Sequence, residues 1–154
     1  MQRRRAVLSD LEKKILISLN ENARKSFRQV AKEVGTSTTA VYNNVKKLEK
    51  KGILKGYFPD IDEGKVGYTQ FAIIALRINQ QKLTEVESKL IQYPQIKAIY
   101  DITGDWDCIL VCYFKSREEL DSFLKDQLAI PYVERVITHI VLNIVKDEKK
   151  TIIT

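Results

Sequence analysis

The sequence predicts an α+β protein of two modules: an all-α head of three short helices, then a four-stranded sheet carrying two helices in β-α-β-β-α-β order. Three observations predict it. Apolar residues recur at helical spacing as far as Leu48, and strand-like and helical runs alternate after Tyr68. Residues 59–67, which hold Pro59, Asp60, Asp62, Gly64 and Gly67, punctuate the chain between the two patterns. The charge divides at the same place, with 14 Lys/Arg against 5 Asp/Glu in residues 1–55 and 12 against 15 in residues 56–154.

Composition excludes several classes. With 154 residues and 44% hydrophobic side chains the chain can build a core. No apolar run approaches the roughly 20 residues that cross a bilayer. Met1-Gln2-Arg3-Arg4-Arg5 is basic but lacks the apolar stretch of a secretory signal, so a soluble, cytoplasmic protein is expected. One histidine and two cysteines cannot supply the usual four zinc ligands, and no metal or cofactor is expected. Four residues of strand hold Cys108 and Cys112 about 13 Å apart, too far for a disulfide, so both are expected buried and reduced. An enzyme would need an acid/base pair, a metal or a cofactor pocket, and neither a cysteine–histidine grouping nor a glycine-rich phosphate loop is present.

In the first helix Leu11, Ile15, Leu16 and Leu19 share a face, and Ser9 with Glu12 forms an S-x-x-E capping box. The second places Phe27, Val30, Ala31 and Val34 at i, i+3, i+4 and i+7, with Ser26 and Gln29 as its box and Gly35 as its stop. The third, over residues 37–51, buries Val41, Val45 and Leu48. A short turn between the second and third is the spacing of a helix-turn-helix. Residues 53–58 read as a short strand, giving a winged form.

A polyanion is the expected partner of so basic a head. Periodicity separates nucleic acid from membrane, because the three apolar stripes are narrow and suffice only for packing on one another. Thr39, Asn43, Lys46 and Lys50 point away from the third helix's apolar stripe, flanked by Thr38, Tyr42 and Lys47. Short hydrogen-bonding groups early and lysines late suit a helix whose first turns enter the major groove of double-stranded DNA. A solvated polar face is the bland alternative. Ser37, Thr38, Thr39, Tyr42, Asn43, Lys46 and Lys47 are the DNA-binding candidates. Arg28, with Arg24 and the Arg3-Arg4-Arg5 arm, adds phosphate contacts.

In the second module, strands are expected over residues 68–78, 96–103, 106–114 and 133–145. Helices are expected over 82–93, with Leu83, Val86, Leu90 and Tyr93 inward, and after the Ser116–Glu119 box, with Leu120, Phe123, Leu124 and Leu128 inward. Gly104-Asp105 reads as a tight turn of type II′. The order is the ferredoxin-like arrangement. Helices cover one sheet face, yet the strands are apolar on both, so a homodimer packing sheet on sheet is expected, growing into larger rings. The domains are thus 1–56, the helix-turn-helix; 57–67, strand and linker; and 68–154, the ferredoxin-like module.

The chain resembles the leucine-responsive regulator/AsnC (Lrp/AsnC, feast/famine) family. The likeness rests on L-S-D-L-E-K-K-I-L-I-S-L-N-E-N-A-R, V-A-K-E-V-G-T-S and V-Y-N-N-V-K-K-L-E-K-K-G-I-L-K-G-Y at the front. At the back it rests on T-G-D-W-D and I-P-Y-V-E-R-V-I-T-H-I-V-L. The resemblance implies a transcription regulator with a C-terminal RAM-type domain that binds an amino-acid effector near the hairpin and assembles dimers into octamers. It points to Asp101, Gly104, Asp105, Trp106 and Asp107, with Thr138 and His139 as weaker candidates. From the residues alone, clustered carboxylates at a turn can receive an ammonium, and glycine with backbone N–H groups can receive a carboxylate; a solvated hairpin is the alternative. Two departures stand out: Asn44 where the family usually has arginine, and Tyr132 where it often has glycine after the proline. An architectural, effector-independent DNA protein is the competing function.

Overall fold

The computed structural model describes residues 7–153. Contacts divide them into two compact units, one running to Asp60 and including the tail from Asp147, the other Ile61–Lys146.

The head contains α1 (Asp10–Glu21), α2 (Phe27–Val34) and α3 (Thr38–Lys50). Ser9 and Ser26 each accept from the N3 N–H while Glu12 and Gln29 reach back, so both capping boxes form. Ser37 caps α3 through Ala40 N–H at 3.1 Å. Gly35 closes α2 at φ +73°, a left-handed conformation that sterics reserve largely for glycine. Ile15, Leu19, Val30, Ala31, Val41 and Val45 form the core, each contributing up to about 1.5–3 kcal/mol for the larger side chains. The Ser18 hydroxyl donates to Glu33 at 2.5 Å and Lys25 Nζ to the same carboxylate at 2.8 Å, tying α1 to α2.

The strand expected over 53–58 does not form. Ile53 and Leu54 N–H groups turn back to the Leu48 carbonyl at 3.0 and 3.2 Å, Leu54 packs on the helical core, and no described segment pairs with these residues. A lone segment without a ladder partner satisfies its backbone by closing the helix instead.

The second unit holds β1 (Gln70–Ile78), α4 (Leu83–Leu90), β2 (Ile96–Asp101), β3 (Cys108–Phe114), α5 (Arg117–Ser122) and β4 (Val133–Ile140). All strand pairings are antiparallel, in the order β2-β3-β1-β4, as the ferredoxin-like reading requires. One sheet face, with Ala72, Ile74, Leu76 and Ile78 of β1 and Cys108, Leu110, Cys112 and Phe114 of β3, packs against Val86, Leu90, Leu120 and Phe123 of the helices. Both cysteines are free and buried, and burial pushes each thiol up to about 12, which keeps it protonated and inert.

Three boundaries differ from expectation. β4 stops at Ile140, opposite Ala72, and its pairing with β1 ends one residue later at the Val141 N–H to Phe71 O bond of 2.8 Å, because β1 begins at Gln70. The β2–β3 connection is wider than a two-residue turn: the last rung is Ile102 N–H to Asp107 O at 3.1 Å, and residues 103–106 loop out with Gly104 at φ +122°. α5 runs into a wider π-type turn over Phe123–Gln127, where Leu128 N–H reaches Phe123 O at 2.9 Å, which seats both side chains in the core.

Candidate functional site

The outward face of α3 carries Thr38, Thr39, Tyr42, Asn43 and Lys46, all exposed, because Val41, Val45 and Leu48 turn the opposite face into the core. Among the described residues no side-chain hydrogen bond or ion pair holds Thr38, Thr39, Asn43 or Arg28, so their polar groups meet solvent. Tyr42 stands edge-on to Phe27 with ring centroids 6.2 Å apart, which fixes its ring while leaving it 48% exposed. Lys46 pairs with Glu49 at 2.9 Å on the surface, an exchangeable contact.

Two of the sequence candidates have internal employment. Ser37 spends its hydroxyl on the α3 cap. Lys47 Nζ lies 2.9 Å from Oε1 of Glu12, which is buried on α1, and Lys51 approaches the same oxygen at 3.9 Å. The Ser9 N–H and the Lys47 ammonium hold the Glu12 carboxyl down at about 2. Asn44 donates its amide to the Ala40 carbonyl at 2.8 Å, so it lies back along its own helix. The arginine arm at residues 3–5 lies outside the described residues.

At the hairpin, Gly104 and Asp105 form the exposed tip and Trp106 is half-buried. Asp107 is buried and committed: its carboxylate accepts from Ile78 N–H at 2.8 Å and from the Gln80 amide, and Arg77 Nε lies 3.6 Å away. Arg77 Nη1 also donates to the Asp105 carbonyl at 2.6 Å. The Arg135 guanidinium lies 5.3 Å from the centre of the Trp106 ring. Asp101 is exposed at the end of β2; burial, then Asp101, raises the Glu87 carboxyl of α4 to about 7.

Thr138 and His139 do not join this group from one face. Thr138 pairs with Ile74 on the helix-covered side and His139 with Ile73 on the open side. Both lie three to four residues beyond Arg135, about 10–13 Å along the strand. Arg77, Gln80 and Arg135 are the hairpin's partners that the sequence reading missed. Alternation from Leu76 and Ile78 places Arg77 on the open face, but its meeting with Arg135 depends on a strand register no local pattern supplies. Among the described residues no group of three or more His, Cys, Asp and Glu is arranged to hold a metal ion.

Comparison with known proteins agrees with both halves. Residues 8–55 match a family model described as winged helix-turn-helix DNA-binding, and residues 71–151 one described as the Lrp/AsnC ligand binding domain. The chain is 36% identical over 141 residues to an uncharacterised HTH-type transcriptional regulator of Pyrococcus furiosus, covering 92% of this chain and 95% of that one. It is 37% identical over 122 residues to the HTH-type transcriptional regulator Ptr1 of Methanocaldococcus jannaschii, covering 79% and 82%. Among solved structures, AsnC of E. coli superposes with a TM-score of 0.87 at 23% identity, covering 97% of this chain and all of that one. A transcriptional regulator of Neisseria meningitidis, solved as its L-Met complex, superposes with a TM-score of 0.86 at 22% identity, covering 94% and 96%. With no helix among the described residues long and apolar enough to cross a membrane, a three-helix head whose third helix turns a polar face outward, and a ferredoxin-like sheet in the second unit, the chain belongs to the Lrp/AsnC family of transcription regulators.

Proposed function

We propose that the protein is a sequence-specific, double-stranded-DNA-binding transcription regulator whose DNA occupancy is tuned by a small amino acid, acting in the cytoplasm without a cofactor. The exposed face of α3 carries the reading: Thr38, Thr39 and Asn43 precede Lys46 on a helix held rigidly by its buried stripe. Asparagine reads adenine through a bidentate pair, and threonine reaches base edges or the thymine methyl. Lys46 and Arg28 supply phosphate contacts, which position the helix and carry the salt dependence.

The second unit supports the sensing half. Its open sheet face presents Phe71, Ile73, Ile109 and Val111, partly exposed, with Phe71 stacked on Tyr113 at 4.4 Å. A second copy of this chain is the proposed cover, giving a homodimer that holds two heads and assembles into an octamer. The N. meningitidis neighbour with its bound L-Met makes an amino acid the natural effector class.

Footprinting on the promoter of the protein's own transcription unit tests the reading. Discrete, helically phased protection that shifts on adding an amino acid supports it. Featureless coverage of any duplex replaces it with an architectural role.

A further inference from the structure

The end of α3 and its cap carry Lys46, Lys47, Lys50 and Lys51. Two of these, Lys46 and Lys47, each lie 2.9 Å from a carboxylate, on opposite terms. The partner of Lys46 is Glu49, whose side chain is 32% exposed. Water replaces the ammonium there, so Lys46 turns to a phosphate at little cost. The partner of Lys47 is Glu12 of α1, whose side chain is 2% exposed.

The surroundings of Glu12 make its pair hard to exchange. Its Oε2 accepts the Ser9 N–H at 2.8 Å and so belongs to the α1 cap. Its Oε1 is buried and, among the described residues, is met only by Lys47 and, at 3.9 Å, by Lys51. Removing the ammonium would strand a charged oxygen away from water, a far larger cost than parting a surface pair. Whichever lysine is nearer, Glu12 retains one. Lys47 stands one helical turn beyond Asn43 on α3, where a free lysine would reach the phosphates bordering the groove.

We infer that Glu12 is a positioning residue for DNA binding: it keeps one α3 lysine, Lys47, off the phosphate backbone and so limits the head's affinity for arbitrary sequence. A lysine on phosphate adds attraction to every duplex alike. Withholding it leaves Thr38, Thr39 and Asn43 a larger share of the binding. The inference rests on the DNA-binding reading above and removes Lys47 from the set of phosphate contacts that the sequence suggested.

The test uses the full chain and a labelled duplex of arbitrary sequence, titrated by fluorescence anisotropy at several salt concentrations. Native protein is compared with Glu12→Gln, with Glu12→Gln combined with Lys47→Gln, and with Glu21→Gln. The last changes net charge equally but releases no cation, because Lys25 stays on Glu33 at 2.8 Å. Glu12→Gln is expected to steepen the salt slope by about one and to tighten binding about eightfold near 0.1 M salt. The double substitution is expected to restore the native slope and affinity, and Glu21→Gln to leave both unchanged. Circular dichroism checks each fold; should Glu12→Gln not fold, the double substitution still decides. A slope below native by about one in the double substitution places Lys47 on phosphate already and overturns the inference. An unchanged slope in folded Glu12→Gln, or equal steepening in Glu21→Gln, also overturns it, and each of these results leaves the DNA-binding reading standing. Failure of the native protein to bind any duplex at low salt overturns both.

Discussion

Glu12 is buried on α1 and nonetheless ionised, because the Ser9 N–H and the Lys47 ammonium both bind the charged form. Its folded carboxyl lies near 2, below the ordinary 4.5, so its contribution is complete above about pH 4.5 and is lost as the pH falls toward 2. Glu12→Gln is expected to lower stability by about 1.5–3 kcal/mol at pH 7, with the deficit shrinking below pH 4.5 in denaturant titrations followed by circular dichroism. The residues proposed to face DNA separate by role. Asn43→Ala is expected to cost about 1–3 kcal/mol and to relax preference at one base position, whereas Lys46→Gln weakens every duplex alike and lowers the salt slope by about one. Fluorescence anisotropy on matched and mismatched duplexes at several salt concentrations distinguishes them; uniform losses from both substitutions contradict the assignment. The outward position of Asn43 was legible, since a 3.6-residue period fixes which side chains oppose Val41 and Val45. The pairing of Lys47 with Glu12 was not. A lysine on the flank of a helix reads as solvated until the neighbouring helix is placed beside it.

At the scale of elements, α4 meets the end of β2 through two carboxyls, Glu87 and Asp101. Burial first, and Asp101 second, raises Glu87 to about 7. A carboxyl raised in the folded state binds more protons than the unfolded chain does, so stability falls as the pH rises from about 4.5 to 7. Glu87→Gln is expected to remove that fall and to gain about 1 kcal/mol above pH 7, a figure kept small because the side chain is partly exposed. Equal slopes of stability against pH in the two proteins would contradict the assignment. The turn into β4 yields a second expectation. Tyr132→Gly frees the left-handed backbone at φ +78° and is expected to raise stability by about 1 kcal/mol despite glycine's entropic cost, as a thermal melt will report. Both capping boxes of the head and Gly35 were readable, because caps are local chemistry. The strand expected over 53–58, the length of β4 and the width of the hairpin were misread for one reason. Strand extent depends on a partner: β1 begins at Gln70 and its pairing with the last strand ends at the Val141 N–H to Phe71 O bond, and residues 53–58 find no partner among the described segments.

Across the whole molecule the two units divide the labour that the charge split implies, a basic head and an acidic sheet module. The tail returns to the head, where the Asn20 amide donates to the Thr151 carbonyl at 2.8 Å, a grouping that no periodicity in residues 147–154 indicates. Fold class and strand order were legible because β-α-β-β-α-β admits few arrangements. The corner formed by Arg77, Trp106 and Arg135 was not, since it exists only once β1 and β4 are in register. The central claim is that a sheet-paired dimer offers two copies of α3 to one duplex, and selection of bound sequences from a random duplex library tests it most directly. An enriched motif of two inverted half-sites whose centres lie about 10 base pairs, or a multiple of that, apart is expected, and its loss with Asn43→Ala. Enrichment of no motif, or of a single half-site without a partner, would contradict it.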